Sequence, residues 1–311
     1  MKVKQNLTNK CPVCESKKIN FHSDYRNLSS CFNNLKKFYC NDCDLIFSNP
    51  MPGNLELDEY NSNYHNNAHG GYNRDKKLKA FFNGIAKTRL HTISKYTSLN
   101  PDEEIKILEI GPGPGVFAKQ WINKYSKSEY YAIETDTNLH NELIKIGIKI
   151  IKEENLKSYK SYFDFIIISH VLEHVTNPVS FLKPMIESLK KNSHLFIEVP
   201  CKDWDHKELD EPHLLFFDKK SFYQLFKKLN MEKVFIGYFG TKIKHLKSPI
   251  FKTINGFKQK LFYRDINIHN PERKKLNKIL NSRIETNAVI NFSPHIEQNE
   301  PSWWIRTIVK K

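Results

Sequence analysis

The stretch Ile107-Leu-Glu-Ile-Gly-Pro-Gly-Pro-Gly115 constrains this chain more than any other. Ile105, Ile107, Leu108 and Ile110 make Ile105 to Ile110 read as a short buried strand. Three alternating glycines follow, and Val116 to Tyr125 then reads as a helix. Strand, glycine turn and helix start together let a ligand approach bare backbone. The spacing argues against a dinucleotide, whose turn needs G-x-G-x-x-G, because position 116 is Val. Pro112 and Pro114 also lack the N–H donors of a pyrophosphate cradle. Glu109, two residues before the first glycine, would repel a phosphate and suit a cationic ligand.

S-adenosylmethionine carries a sulfonium, an ammonium and no phosphate, and it fits all these features. An acidic residue followed by Gly111, Gly113 and Gly115 resembles the first motif of the class I S-adenosylmethionine-dependent methyltransferases. The fold expected is α/β and Rossmann-like, with a seven-stranded sheet. The resemblance implies a last strand inserted antiparallel between the fifth and sixth.

The rest of the core reads in order. Tyr130 to Glu134 is a second strand about 20 residues past the glycines, and Glu134 there would accept both ribose hydroxyls, with Asp136 as second choice. Glu153, Glu154 and Asn155 follow the third strand, Ile148 to Ile151. The resemblance places adenine at this loop, where Glu154 either accepts its amino group or stands as a solvated charge. Phe163 to Ser169 is a nearly continuous apolar run, as suits a central parallel strand. Ser169 and His170 at its end point at the cofactor region. Asn177 to Leu189 is a helix capped by Asn177 with Pro178 at its first position. Ser193 to Val199 is the fifth strand, Glu232 to Tyr238 the sixth and Pro301 to Val309 the last. Asp218 caps the helix of Phe222 to Leu229.

Upstream, Cys11-Pro-Val-Cys14 and Cys40-Asn-Asp-Cys43 have 25 residues between them. Paired Cys-x-x-Cys knuckles match a four-thiolate zinc ribbon, with Cys11, Cys14, Cys40 and Cys43 as ligands. Four thiolates close the coordination shell, so this zinc is structural. Disulfides compete for the same cysteines, but no secretory signal or membrane-length apolar run is present, and a cytoplasmic chain keeps its thiols reduced. Cys31 and Cys201 read as free thiols. Residues 44–75 read as a connector with little regular structure, in which Tyr60 and Tyr64 pack on the main domain, cover the cofactor or line the acceptor pocket. The chain divides into a ribbon (1–50), a connector and lead-in helix (51–97), the cofactor-binding core (98–240), a helical insertion (241–300) and the last strand (301–311).

Ribbon, Asn-Pro-Met-Pro turn, Tyr-rich connector and the string Leu172-Glu-His-Val175 together resemble methyltransferases of bacterial sugar and surface-glycan pathways. The resemblance implies O-methylation of a sugar, nucleotide sugar or glycan precursor. Sugar C-methylation is the alternative, though such enzymes normally have a further C-terminal domain. His213 is the expected base, oriented by Glu211, and His170 is the alternative; His174 reads as structural. Net charge is +15, and residues 241–280 hold eleven Lys/Arg against Asp265 and Glu272. That excess suits an acceptor carrying phosphate. RNA methylation would also suit a basic chain with a ribbon, but no RNA-binding motif is present, so nucleic acid is not the expected partner.

Overall fold

The computed structural model describes residues 7–62, 75–263 and 272–311. Near the N-terminus, β1 (Ile19–Asp24), β2 (Lys36–Cys40) and β3 (Ile46–Ser48) pair antiparallel. The connector is more regular than expected. It contributes β3, whose Ile46 and Phe47 are buried, and then α1 (Asn54–Ser62). Tyr60 packs edge-on against Phe32, with ring centroids 5.2 Å apart. Tyr64 lies outside the described residues.

Asp75 starts α2 (Lys76–Tyr96) by accepting the Leu78 N–H at 2.7 Å, which satisfies one of the free donors of a first turn. Ile85, Ala86, Leu90 and Ile93 form its buried stripe. Then β4 (Lys106–Ile110), α3 (Val116–Lys124), β5 (Glu129–Ile133), α4 (His140–Lys145), β6 (Lys149–Ile150), β7 (Phe163–Ser169), α5 (Pro178–Ser188) and β8 (Leu189–Pro200) alternate strand and helix. The short β9 (Leu215–Phe216), α6 (Lys219–Lys228) and β10 (Glu232–Lys242) follow. Four helices, α7 (Ile243–Lys247), α8 (Pro249–Tyr263), α9 (Glu272–Leu280) and α10 (Arg283–Val289), precede β11 (Glu297–Gln298) and β12 (Ser302–Lys310).

The main sheet has the order β11-β10-β12-β8-β7-β4-β5-β6. Strand β12 runs antiparallel between β8 and β10, as expected. The expected seven strands fall one short, because Glu297 and Gln298 pair with Phe239 and Tyr238 and add an eighth at the edge. Two residues are too few to show a period of two. Phe165 to Ile168 on β7 are fully buried on both faces, the environment of a central parallel strand.

One face of the sheet is covered by α2, α3 and the later part of the insertion, through Leu276, Leu280, Ala288 and Val289. A Cβ at Gly84 would come within 2.7 Å of Val289, so the close approach of α2 and α10 requires a glycine there. The insertion is thus partly core. The other face is covered by α5, α6 and the ribbon. The ribbon sheet takes its fourth strand from far along the chain: β9 pairs with β3, Ile46 opposite Phe216. That pairing anchors to the ribbon the loop that joins β8 to β9.

Candidate active site

Gly111, Gly113 and Gly115 hold φ of 67°, 54° and 70°, a region that strains any side chain bearing a Cβ. At Gly111 an added Cβ would also stand 2.7 Å from Val171 Cγ2. A cavity of about 510 Å³ opens beside this turn. Ile110, Gly111, Gly113, Ile133, Glu134 and Thr135 line one side, and His170, Val171 and His174 another, while Leu57, Asp58 and Asn61 of α1 face them. The cavity lies at the carboxyl ends of β4, β5 and β7, where open α/β sheets bind ligands.

Glu134 follows β5 and accepts the N–H groups of Gly113 and Asp136, each at 2.9 Å. Burial raises its pKa. A carboxylate has about four acceptor positions, so two remain for a pair of hydroxyls. Asp136, the second choice, is fully buried, accepts the Asn138 N–H at 3.1 Å and is not in the cavity lining. Glu109 does not line the cavity. Alternation along β4 turns it to the opposite face from Ile110. There it is 3% exposed and accepts the Tyr130 hydroxyl at 2.6 Å, and burial pushes its pKa up to about 7. Glu153, rather than Glu154, lines the cavity. Glu154 is exposed, 3.7 Å from Lys152, because the 3-10 turn that starts at Glu153 directs it outward. Ser169 is not in the lining, and its hydroxyl is buried without a hydrogen-bond partner among the described residues.

The histidines are arranged differently from the sequence expectation. His170 lines the cavity, with Nδ1 3.3 Å from Glu173 Oε1 and Nε2 3.2 Å from Glu198 Oε1. Burial opposes charge on this ring, but the two carboxylates outweigh it and raise the pKa. A ring held as a cation is a poor base. Burial likewise opposes ionisation of Glu198. Arg89 and Arg306, each at 2.5 Å, nevertheless hold it well below the usual carboxylate range.

His213 is 7% exposed, with Nδ1 2.5 Å from Asp203 Oδ2. Asp203 also binds Lys207 at 2.8 Å. Glu211 does not orient His213. It accepts the Ser29 N–H of the ribbon at 2.9 Å, because the turn sends the two side chains toward different elements. His213 stands behind His174 rather than at the cavity wall, the rings meeting edge to face with centroids 4.8 Å apart. His174 lines the cavity, its Nδ1 is 3.2 Å from the Pro212 carbonyl, and burial pushes its pKa down to about 4. Sequence reasoning missed Asp203 and gave Glu173 no role. The available signal was a Glu-His pair directly after a buried strand.

The ribbon grips the loop that carries these groups. Asp210 is 1% exposed; its carboxylate accepts the Arg26 N–H at 2.8 Å and Nη2 at 2.6 Å, and binds Lys37 Nζ at 2.5 Å. The Tyr25 hydroxyl donates to the His213 carbonyl at 2.9 Å, and the Ser48 N–H to the Leu214 carbonyl at 2.8 Å. Within the ribbon, the Cys11 and Cys43 sulfurs are 3.5 Å apart, as are those of Cys14 and Cys40. A zinc tetrahedron with Zn–S of about 2.3 Å has edges of about 3.8 Å, so the four sulfurs fit that ion.

Residues 81–235 match the family described as a methyltransferase domain. Fold, glycine turn and family match define an S-adenosylmethionine-dependent methyltransferase. Over 199 residues the chain is 27% identical to a probable polyketide synthase 7 of Dictyostelium discoideum, covering 56% of this chain and 8% of that protein. It is 26% identical over 177 residues to an uncharacterized protein of Rickettsia prowazekii (strain Madrid E), covering 51% of this chain and 69% of the other. The chain therefore spans less than a tenth of the polyketide synthases it matches. Among solved structures, an S-adenosylmethionine-dependent methyltransferase from Archaeoglobus fulgidus superposes with a TM-score of 0.48 at 20% identity, over 74% of this chain and 94% of that one. No helix among the described residues is long and apolar enough to cross a membrane.

Proposed function

We propose that this enzyme O-methylates a hydroxyl of a sugar, nucleotide sugar or surface-glycan precursor. The observation that carries this reading is the lining of the cavity. Asp58, Asn61, Thr176, Asn177 and Ser180 present hydrogen-bonding groups there, interleaved with the apolar Leu57, Ile110, Ile133, Val171, Val175 and Phe181. Such a lining suits an acceptor with several hydroxyls. S-adenosylmethionine would lie along the glycine turn, with its ribose hydroxyls on the free acceptor positions of Glu134. It supplies an already activated methyl. The protein's own work is to hold the acceptor hydroxyl in line, exclude water and remove a proton. His174 lines the cavity and His213 stands behind it, with Asp203 as the positioning residue for His213, and we assign the proton to this pair of imidazoles.

Zinc in the four-cysteine site would hold together a ribbon that braces the loop carrying His213. None of the six cysteines is in a disulfide, which suits a reducing, cytoplasmic setting. The RNA reading loses support, because Lys242 and Lys244 pair with Glu300, and Lys247 with Asp205.

The test compares surface glycans of wild-type and deletion cells by mass spectrometry, with the position of the methyl fixed by NMR. A methyl lost from a sugar oxygen is expected. A methyl lost from a ring carbon would favour C-methylation, and unchanged glycans would refute the glycan reading. With the true acceptor, His213→Ala should lower kcat by ~10²–10⁴-fold while cofactor affinity holds.

A further inference from the structure

We infer that Glu173, His174 and His213 form a second metal site, distinct from the cysteines, for one divalent first-row cation such as Mn²⁺ or Fe²⁺. The placement of the acceptor cavity rests on the function proposed above; the metal site itself rests on local geometry. Each of the three residues offers one ligand atom, and these atoms lie within 4.8 Å of one another. The Glu173 carboxylate is 1% exposed, and neither of its oxygens accepts a hydrogen bond among the described residues. The His170 ring, 3.3 Å from Oε1, offsets part of that buried charge, and a metal ion between the carboxylate and the two imidazoles would offset the rest. His174 Nε2 is 3.9 Å from Glu173 Oε1.

The tautomers support coordination. A carbonyl only accepts, so the contact between His174 Nδ1 and Pro212 places a proton on Nδ1 and leaves Nε2 with its lone pair. Asp203 does the same for His213 by taking its Nδ1–H. Metal-bound histidines characteristically give their second nitrogen to a carbonyl or a carboxylate, which fixes the ring. Two imidazoles and one carboxylate leave positions open on the cation, and that donor set suits Mn²⁺, Fe²⁺ or Zn²⁺. His174 lines the cavity, so the open positions face the acceptor. With a metal bound, the two imidazoles would coordinate it instead of taking the proton; an acceptor oxygen on the ion would be oriented, and its proton, made more acidic, would pass to solvent.

The experiment titrates Mn²⁺ into the full zinc-loaded protein and follows free ion by electron paramagnetic resonance. Manganese prefers N and O donors to thiolates, which separates this site from the ribbon. One bound Mn²⁺ per chain is expected. Binding should disappear in Glu173→Gln and weaken ~10–100-fold in Asp203→Asn, which only unseats the His213 ring. Calorimetry with S-adenosylmethionine shows that each variant is folded. If Glu173→Gln does not fold, Asp203→Asn decides. No bound Mn²⁺, or Mn²⁺ affinity unchanged in Asp203→Asn, overturns the site. Because the readout is binding, it stands or falls apart from the glycan assignment.

Discussion

Asp210→Asn tests whether the ribbon and the site loop are one energetic unit. The Asp210 side chain is fully buried, and it meets two cations: Lys37, whose side chain is 3% exposed, and Arg26, whose side chain is 40% exposed. The substitution keeps the shape and removes the charge. Arg26 can turn its charge to water, but Lys37 cannot, and burial already lowers its pKa. Removing one partner of a buried pair costs about 3–5 kcal/mol, because the other charge is left uncompensated. That is a large share of a stability of about 5–15 kcal/mol. An exposed pair such as Lys18 and Asp42, with side chains 73% and 45% exposed, should contribute only about 0–1 kcal/mol. Urea unfolding of Asp210→Asn, of Asp42→Asn and of the double variant Lys37→Met/Asp210→Asn measures all three. The double variant should recover more than half the loss, since no stranded charge remains. A loss below about 1 kcal/mol in Asp210→Asn, or no recovery in the double variant, would refute the argument.

Purified protein should carry about one tightly bound zinc per chain, and Cys14→Ser should reduce solubility more than turnover; metal analysis that finds no zinc, with the thiols in disulfides, removes the ribbon site. Gly113→Val should block S-adenosylmethionine binding, and Glu134→Ala should weaken it by ~1–3 kcal/mol through lost charge-assisted hydrogen bonds; calorimetry that finds NADH bound instead would overturn the cofactor reading. Glu109 should give an inverted pH dependence. Its pKa of about 7 in the fold stands above the ordinary 4.5, so the folded chain holds a proton that the unfolded chain releases. The contribution to stability is fully present below pH about 4.5 and is lost as pH rises through about 7, a change of about 3 kcal/mol. Denaturation at pH 5 and pH 8 should show this fall in the wild type and a smaller one in Glu109→Gln; equal falls would count against it.

Features set by near neighbours in the chain were legible in the sequence. The glycine turn needs only its own backbone freedom, and the apolar run of β7 reports burial on both faces directly. Asn177 caps its helix by accepting the Ser180 N–H at 3.0 Å, three residues on. The two cysteine knuckles could likewise be paired from spacing, and the place of β12 followed from family resemblance. Other features depend on residues far apart meeting in space. Arg26 and Asp210 are 184 positions apart, and β3 pairs with β9 across a similar interval. The partner of His213 was misjudged because Glu211 is nearer along the chain, while the loop fold brings Asp203 to it. A one-residue shift in a 3-10 turn put Glu153 rather than Glu154 in the cavity wall. Propensity and periodicity act over a few residues. Which carboxylate meets which imidazole depends on how the ribbon packs on the sheet, so only the tertiary structure could decide it.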